Sequence, residues 1–186
     1  MDIKVGVSNR HVHLNKEAYD TLFNDEEFRV KNYLSQRGEF ASELLVDIKT
    51  NGGLVKNVRV VGPLRDEVQV EINRSDSFVL KINPPVRMSG NFDSGEEVTL
   101  VNNAKEFKTR NCILAHRHIH ASYEDLEKYG LNAEKTYRVR VKSERGGTMD
   151  NIRIKVKDNY SLELHIDTDE ANAFLINNGD IVELED

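Results

Sequence analysis

Tryptophan is absent from this chain of 186 residues, proline occurs three times, and Cys112 is the one cysteine. A single cysteine excludes a disulfide framework and any multi-cysteine zinc site. No apolar run approaches the roughly 20 residues of a membrane-spanning helix, and 31% of the residues are charged, so a membrane protein is excluded. The opening Met1-Asp2-Ile3-Lys4-Val5-Gly6-Val7 lacks the basic-then-apolar pattern of a secretory leader, which predicts a cytoplasmic protein. Positive charge is also scarce: 26 basic against 32 acidic residues leave a formal charge of −6. No Lys/Arg stripe follows, so nucleic acid is not an expected partner. Nor is there a Gly-x-Ser-x-Gly elbow or a phosphate-cradling glycine loop. Cys112, a lone thiol without an adjacent histidine, reads as a small buried residue and not a nucleophile.

What the chain does contain is an internal echo. Arg10-His11-Val12-His13 returns as Arg117-His118-Ile119-His120, 107 residues later. Behind the first copy Asn15 can cap a helix carrying Ala18, Tyr19, Leu22 and Phe23; behind the second, Ser122 can cap one carrying Leu126 and Tyr129, closed by Gly130. A second echo, offset by 94, aligns Gly52–Asp76 with Gly146–Glu170; only five of its 25 positions are identical, but the apolar alternation agrees throughout. Duplication explains shared order, spacing and alternation together. The change of offset gives the first half 13 extra residues, expected between Val30 and Glu43 where alternation lapses. Short alternating runs at Leu44–Lys49, Phe78–Ile82, Glu97–Val101, Tyr137–Val141 and Ile181–Glu185 predict strands, and the fold class is mostly β: two small barrels or sandwiches. Asn83-Pro84-Pro85 to Gly95 reads as an ordered loop or a crossing between lobes.

In a strand, residues i and i+2 share a face, so His11 projects with His13 and His118 with His120, as paired imidazoles do in many zinc sites. A partly solvated polar strand face is the other reading of either pair. The repeat adds a third metal-competent residue to each half, since Glu71 and His165 are equivalent under the 94 offset. Three protein ligands with an open position describe a catalytic zinc, not a structural one. The repeat does not say whether a pair takes its third ligand from its own half or from the other. His116 falls where the first half has Asn9, which points to a supporting or surface role. Arg65, in Gly62-Pro63-Leu64-Arg65, is either an oxyanion or phosphate clamp or a solvated loop arginine, and Arg87, in Pro84-Pro85-Val86-Arg87, is a second such group or part of a rigid surface turn.

Ser8-Asn9-Arg10-His11-Val12-His13-Leu14, Gly62-Pro63-Leu64-Arg65 with Gln69-Val70-Glu71, Pro84-Pro85-Val86-Arg87 with Ser89-Gly90, Arg117-His118-Ile119-His120 and His165-Ile166-Asp167-Thr168-Asp169-Glu170-Ala171-Asn172 together closely resemble the PduL-type phosphate acyltransferases (phosphotransacylases). The match runs in order over essentially the whole chain. It implies two β-barrel lobes with short capping helices, the first strand joining the C-terminal lobe: residues 10–115 form one lobe, 1–9 with 116–186 the other, a simple split into 1–105 and 106–186 being the alternative. It also implies an enzyme with two zinc ions per chain that interconverts short-chain acyl-CoA plus phosphate with acyl phosphate plus CoA, acetyl or propanoyl being the acyl group. His11, His13 and Glu71 match the ligands of one zinc, and His118, His120 and His165 those of the other. Arg65 matches the phosphate-handling arginine, and Arg59, Phe78, Ser89 and Asn172 fall at positions that contact CoA. Met88 departs from the aspartate often found there in relatives. No extension precedes the first strand, so packaging in a microcompartment is not expected, and a homodimer stays open.

Group properties suit that chemistry. Phosphate attacks a thioester carbonyl, and the leaving thiolate needs a partner because a free thiol has a pKa of about 8.5. With no obvious agent of covalent catalysis in the chain, direct transfer in a ternary complex is the expected route. Two rivals differ from it: a zinc thioesterase using water in place of phosphate, and a cupin-like metal-binding module. His11-Val12-His13 with Glu17 and His118-Ile119-His120 with Glu124 imitate the cupin spacing, but both glutamates fall in the first turn of a predicted helix.

Overall fold

Alternating apolar residues close into two rings of strands, as the computed structural model, which describes residues 1–24 and 26–185, shows. In chain order the strands are β1 (Asp2–Ser8), β2 (His11–His13), β3 (Val30–Tyr33), β4 (Phe40–Lys49), β5 (Leu54–Gly62), β6 (Gln69–Glu71) and β7 (Val86–Arg87). They continue as β8 (Glu96–Asn102), β9 (Lys105–Ala115), β10 (His118–Ala121), β11 (Tyr137–Val141), β12 (Gly147–Val156), β13 (Glu163–Asp167) and β14 (Ile181–Glu185). Four short helices are described: α1 (Lys16–Phe23), α2 (Arg74–Leu80), α3 (Tyr123–Tyr129) and α4 (Thr168–Phe174).

The chain divides into two compact units. One holds Met1–Asn9, Ser35–Arg37 and the chain from His116 onward; the other holds Arg10–Leu34 and Gly38–Ala115. In the first, the ring runs β1-β13-β10-β12-β11-β14 and closes on β1. In the second, it runs β4-β5-β2-β6-β9-β8 and closes because β8 pairs with both β9 and β4; β3 and β7 add to its margins. Closure leaves no unpaired edge within either ring. The rings match strand for strand: β6 and β9 pair in parallel as β13 and β1 do, and β2 lies parallel to β5 and antiparallel to β6 as β10 does to β12 and β13. β1 therefore completes the ring of the unit that holds the C-terminal half, while β9 does the same work in the other.

Each ring is filled by its inward alternation. Val12, Leu14, Val60, Val70 and Leu100 lie in one core, Val5, Ile119, Val139, Ile152 and Leu164 in the other, all fully buried. Each such side chain contributes on the order of 1.5 to 3 kcal/mol. The helices expected after each His-x-His are present. Asn15 accepts from the Ala18 N–H at the start of α1, and Ser122 caps α3, which Gly130 closes in the left-handed conformation at φ 66°. Glu17 and Glu124 stand in their first turns.

One expectation fails. Phe78–Ile82 is not a strand: residues up to Leu80 belong to α2, which begins where the Asn73 N–H donates to the Asp76 carboxylate at 3.0 Å. Phe78 and Val79 both face solvent, so the apparent alternation is incidental to a helix held by its cap. Its repeat partner α4 starts in the same way, with the Asp167 N–H donating to Glu170 at 3.1 Å. Each barrel thus carries two short helices and not one. Asn83–Gly95 stays within the unit of residues 38–115 and pairs Val86–Arg87 with β9. Between Val30 and Glu43 the extra residues form β3 and the short Ser35–Arg37 segment.

The repeat makes a direct test of packing available. A Cβ on Gly53 would come 2.0 Å from the Val79 carbonyl oxygen, whereas on the equivalent Gly147 it would meet only the Phe174 ring at 3.5 Å. Gly53→Ala is expected to cost about 1 to 3 kcal/mol, and Gly147→Ala no more than about 0.5 kcal/mol, in urea unfolding. Equal losses at the two positions would refute the packing account.

Candidate functional site

The antiparallel pairing of β10 with β13 sets His118 opposite His165 and His120 opposite Glu163. Since residues two apart share a strand face, four side chains form the corners of one square. Within it, the ligand nitrogens of His118, His120 and His165 all lie within 4.8 Å of one another, the one such set of three among the described residues. His118 Nδ1 donates to the His116 carbonyl at 2.7 Å, and its Nε2 lies 3.0 Å from His120 Nε2. His116 thus touches the site through its backbone carbonyl. Among the described residues, His120 Nδ1 is the one buried side-chain nitrogen or oxygen with no hydrogen-bond partner. Its ring packs on Tyr160 with centroids 4.2 Å apart. Burial, then the neighbouring His165, His118, Lys155 and Lys157 charges, hold His120 neutral far below its ordinary range. Three imidazoles whose ligand nitrogens converge, beside a buried His120 Nδ1 without a hydrogen-bond partner, make a donor set that suits a zinc ion. The residues fit the metal.

The fourth corner is Glu163, which the sequence reading missed. Its Oε2 accepts from His165 Nε2 at 2.8 Å and from Gln36 at 3.4 Å, and also from the Ser35 hydroxyl. Lys4 stands 3.8 Å from Oε1. Burial works to raise this carboxyl, but the bonds from His165, Ser35 and Gln36 outweigh it and bring the group below its usual range.

In the other barrel the same register sets His11 opposite Glu71 and His13 opposite Gln69. His11 Nε2 is 3.6 Å from the Glu71 carboxylate, and the His11 and His13 rings meet edge to face at 5.0 Å. His13 Nδ1 donates to the Val61 carbonyl at 3.1 Å, which orients the ring. Glu71 accepts a bond from the Gln69 amide. That amide also donates to Ser89 Oγ at 2.8 Å, while its oxygen accepts from the Gly90 N–H at 3.0 Å, so one buried glutamine fixes both the third metal-competent residue and the Ser89-Gly90 turn.

Arg10 and Arg117, the first residues of the two motifs, serve as clamps. Arg10 pairs with Asp76, and Arg117 Nε with Glu170 at 2.7 Å; each carboxylate also closes the capping box of α2 or α4. Asp76 and Glu170 are equivalent under the 94 offset, and that equivalence was the available signal.

Arg65 is half-buried. Its N–H is fixed to the Leu14 carbonyl at 2.9 Å, immediately after β2, and its guanidinium pairs with Glu39 at 3.1 Å. Arg59, opposite His11 on β5, donates to the Ser42 and Glu43 carbonyls at 2.9 and 3.1 Å, bonds that brace it without cancelling its charge. Phe78 on α2 is 67% exposed, with the Arg74 guanidinium 4.7 Å from its ring centre. Asn172, the repeat equivalent of Phe78, is exposed on α4. Arg87 is committed to the Asp93 and Val86 carbonyls. Among the described residues no helix is long and apolar enough to cross a membrane.

A family profile described as phosphate propanoyltransferase matches residues 4–177. A phosphate propanoyltransferase of Thermotoga maritima is 43% identical over 183 residues, which are 97% of this chain and 87% of that protein. Those of Shewanella putrefaciens and Salmonella typhimurium are 40% identical over 182 and 173 residues, covering 97% and 92% of this chain and 86% and 82% of the relatives.

Cys112 lies fully buried on β9, and burial, with Glu96 and Asp76 adding to it, pushes its thiol up to about 12. Ellman's reagent is therefore expected to leave the native protein unmodified at pH 8 and to react with one thiol per chain after denaturation. Rapid reaction in the native state would reopen the question of a cysteine nucleophile.

Proposed function

The chain belongs to the phosphate propanoyltransferase family, and from that premise we propose that it interconverts a short-chain acyl-CoA, propanoyl or acetyl, and phosphate with acyl phosphate and CoA, using two zinc ions per chain. The observation that carries the zinc reading is the convergence of three imidazoles, His118, His120 and His165, beside the buried His120 Nδ1, which has no hydrogen-bond partner. These three hold one ion; His11, His13 and Glu71 hold the other. Zinc supplies a Lewis acid for the charge that grows on the thioester oxygen and an acceptor for a thiolate.

The remaining tasks fall to this chain's own side chains. Arg65 clamps the phosphate, exchanging its Glu39 partner for a charge-assisted contact with the substrate. Glu39, held beside it, keeps the guanidinium aimed when phosphate is absent. Arg59 contributes an uncancelled positive charge to CoA binding, which a chain of charge −6 must provide locally. Phe78 offers an exposed ring face for a base, Ser89 a hydroxyl fixed by Gln69, and Asn172 a polar contact. Cys112 is sealed in the core, so no thiol of the chain accepts the acyl group. Phosphate oxygen attacks the thioester carbonyl carbon directly in a ternary complex, the C–S bond breaks, and acyl phosphate and CoA leave. Positioning accounts for most of the acceleration.

CoA release from acetyl-, propanoyl- and butanoyl-CoA, with and without phosphate and before and after chelation, tests this. Release should require phosphate and stop when zinc is removed, and elemental analysis of active protein should find close to two zinc ions per chain. Release that is independent of phosphate would make the protein a hydrolase instead.

Arg65→Ala should weaken phosphate use by about 1.5 to 3 kcal/mol, or roughly 10- to 100-fold in apparent phosphate KM or turnover, with acyl-CoA binding little changed. Wild-type phosphate kinetics in that variant would reduce Arg65 to a surface residue.

A further inference from the structure

Glu163 differs from its repeat equivalent in a way that the metal ligands do not explain. The register that places Gln69 opposite His13 places Glu163 opposite His120. At 4% exposure it is a carboxylate inside a barrel wall, and such a group is costly unless its oxygens are bonded. Its bonds come from two directions. His165 gives its Nε2–H at 2.8 Å, and the Ser35–Arg37 segment, part of the insertion that only the first half of the sequence carries, gives the Ser35 hydroxyl and the Gln36 amide. Gln36, 1% exposed, is itself locked to the backbone of Ser161: its amide donates to the Ser161 carbonyl, and its oxygen accepts the Ser161 N–H, each at 3.1 Å.

A third residue has changed to match. On β1, Gly6 lies beside His165, and a Cβ there would come 2.9 Å from Glu163 Oε2 and 3.0 Å from His165 Nε2. The equivalent residue in the other barrel, 107 positions on, is the fully buried Ile113. The barrel that carries the carboxylate thus also carries the space for it and a segment to hold it.

We propose that Glu163 is a positioning residue for the second zinc centre: anchored by Ser35 and Gln36, it holds the Nε2–H of His165 and so presents Nδ1 of that ring as the metal ligand. A carboxylate only accepts, so the contact fixes one of two tautomers, and its charge strengthens the opposite nitrogen as a donor. His118 is fixed in the complementary sense by the His116 carbonyl on its Nδ1. The proposal rests on the zinc reading above and adds which atom of His165 is used and what holds it.

Long-range proton–nitrogen correlation spectra of the zinc-loaded, nitrogen-15-labelled chain, with His165 assigned by substitution, read the tautomer. They should show His165 protonated at Nε2 and bound through Nδ1. Competition against a chromophoric chelator should then show that Glu163→Ala weakens one of the two zinc ions about 10- to 100-fold and leaves the other unchanged. Glu163→Gln, whose amide oxygen still accepts from Nε2–H, should recover part of that loss, and Ser35→Ala should fall between Glu163→Gln and wild type. If Glu163→Ala fails to fold, as thermal unfolding of the metal-free protein will show, the Gln and Ser35 variants and the tautomer decide. Metal bound at Nε2 of His165, or unchanged affinities in all the variants that fold, overturns the role of Glu163 while leaving the zinc reading intact. A wild-type chain that binds no zinc overturns both.

Discussion

Each His-x-His motif lies on a very short strand, and its chemistry depends on which residue the neighbouring strand sets across from it. Antiparallel pairing places His165 opposite His118 and Glu71 opposite His11. A slip of one residue would turn every side chain of the short strand to the other face and send the imidazoles into the core. Three or four residues make few ladder bonds, so the register is held from outside the ladder. Arg10 and Arg117, at the entrance to the two strands, reach the carboxylates of Asp76 and Glu170 at the start of α2 and α4, which follow the strands that carry Glu71 and His165. The same carboxylates cap those helices. One interaction therefore fixes the entry to one strand against the exit from the other. The arginine of each motif thus ties its strand to the cap of a helix.

Charge shows how the two copies differ. Considered as triads, His11, His13 and Glu71 carry one more negative charge than His118, His120 and His165. With the fourth corner included, each square holds one carboxylate: Gln69 and Glu71 in one barrel, Glu163 and His165 in the other. The negative charge has moved two residues along the strand, from the position of Glu71 and His165 to the position of Gln69 and Glu163. A buried cation among neutral imidazoles needs a compensating charge nearby in either case. Whether that charge is a ligand or stands behind one alters how much the ligands donate, while the total charge of the square stays the same.

Much of this was legible in the sequence. The period-two runs at Tyr137–Val141 and Ile181–Glu185 are strands with those bounds, and Asn15 and Ser122 start the helices expected of them. The helix α2 was not legible as a helix. At seven residues it presents no repeating apolar stripe, and its start depends on Asp76 bonding back to Asn73, a contact that periodicity does not register. Glu163 and Ser35 were invisible for a different reason. They lie 128 positions apart, and the segment that brings Ser35 there belongs to the insertion, where the repeat has nothing to compare. Duplication exposes what the copies share, and Glu163 matters for what they do not.

The five identities in the 25-residue echo bear on the same point. Asn57 and Asn151 both adopt left-handed backbone, at φ 57° and 60°, where asparagine is among the few side chains tolerated. Gly52 and Gly146 each lie where a Cβ would strike a carbonyl oxygen, at 2.6 and 2.3 Å. At the tight glycines the backbone accepts no side chain without shifting, and asparagine suits the left-handed turn, so identity persists there. The inward positions require only an apolar residue of suitable size, which is why Val58 and Val60 in one copy correspond to Ile152 and Ile154 in the other. Low identity between the halves is therefore compatible with one frame, because few positions demand a particular residue. It also explains how the two squares could diverge. Exchanging Gln69 for Glu163 and Glu71 for His165, with Gly6 where the other copy has Ile113, alters the polar face of the wall without touching a left-handed residue, a tight glycine or an arginine clamp. The chemistry of one barrel can change while the register that both barrels depend on stays fixed.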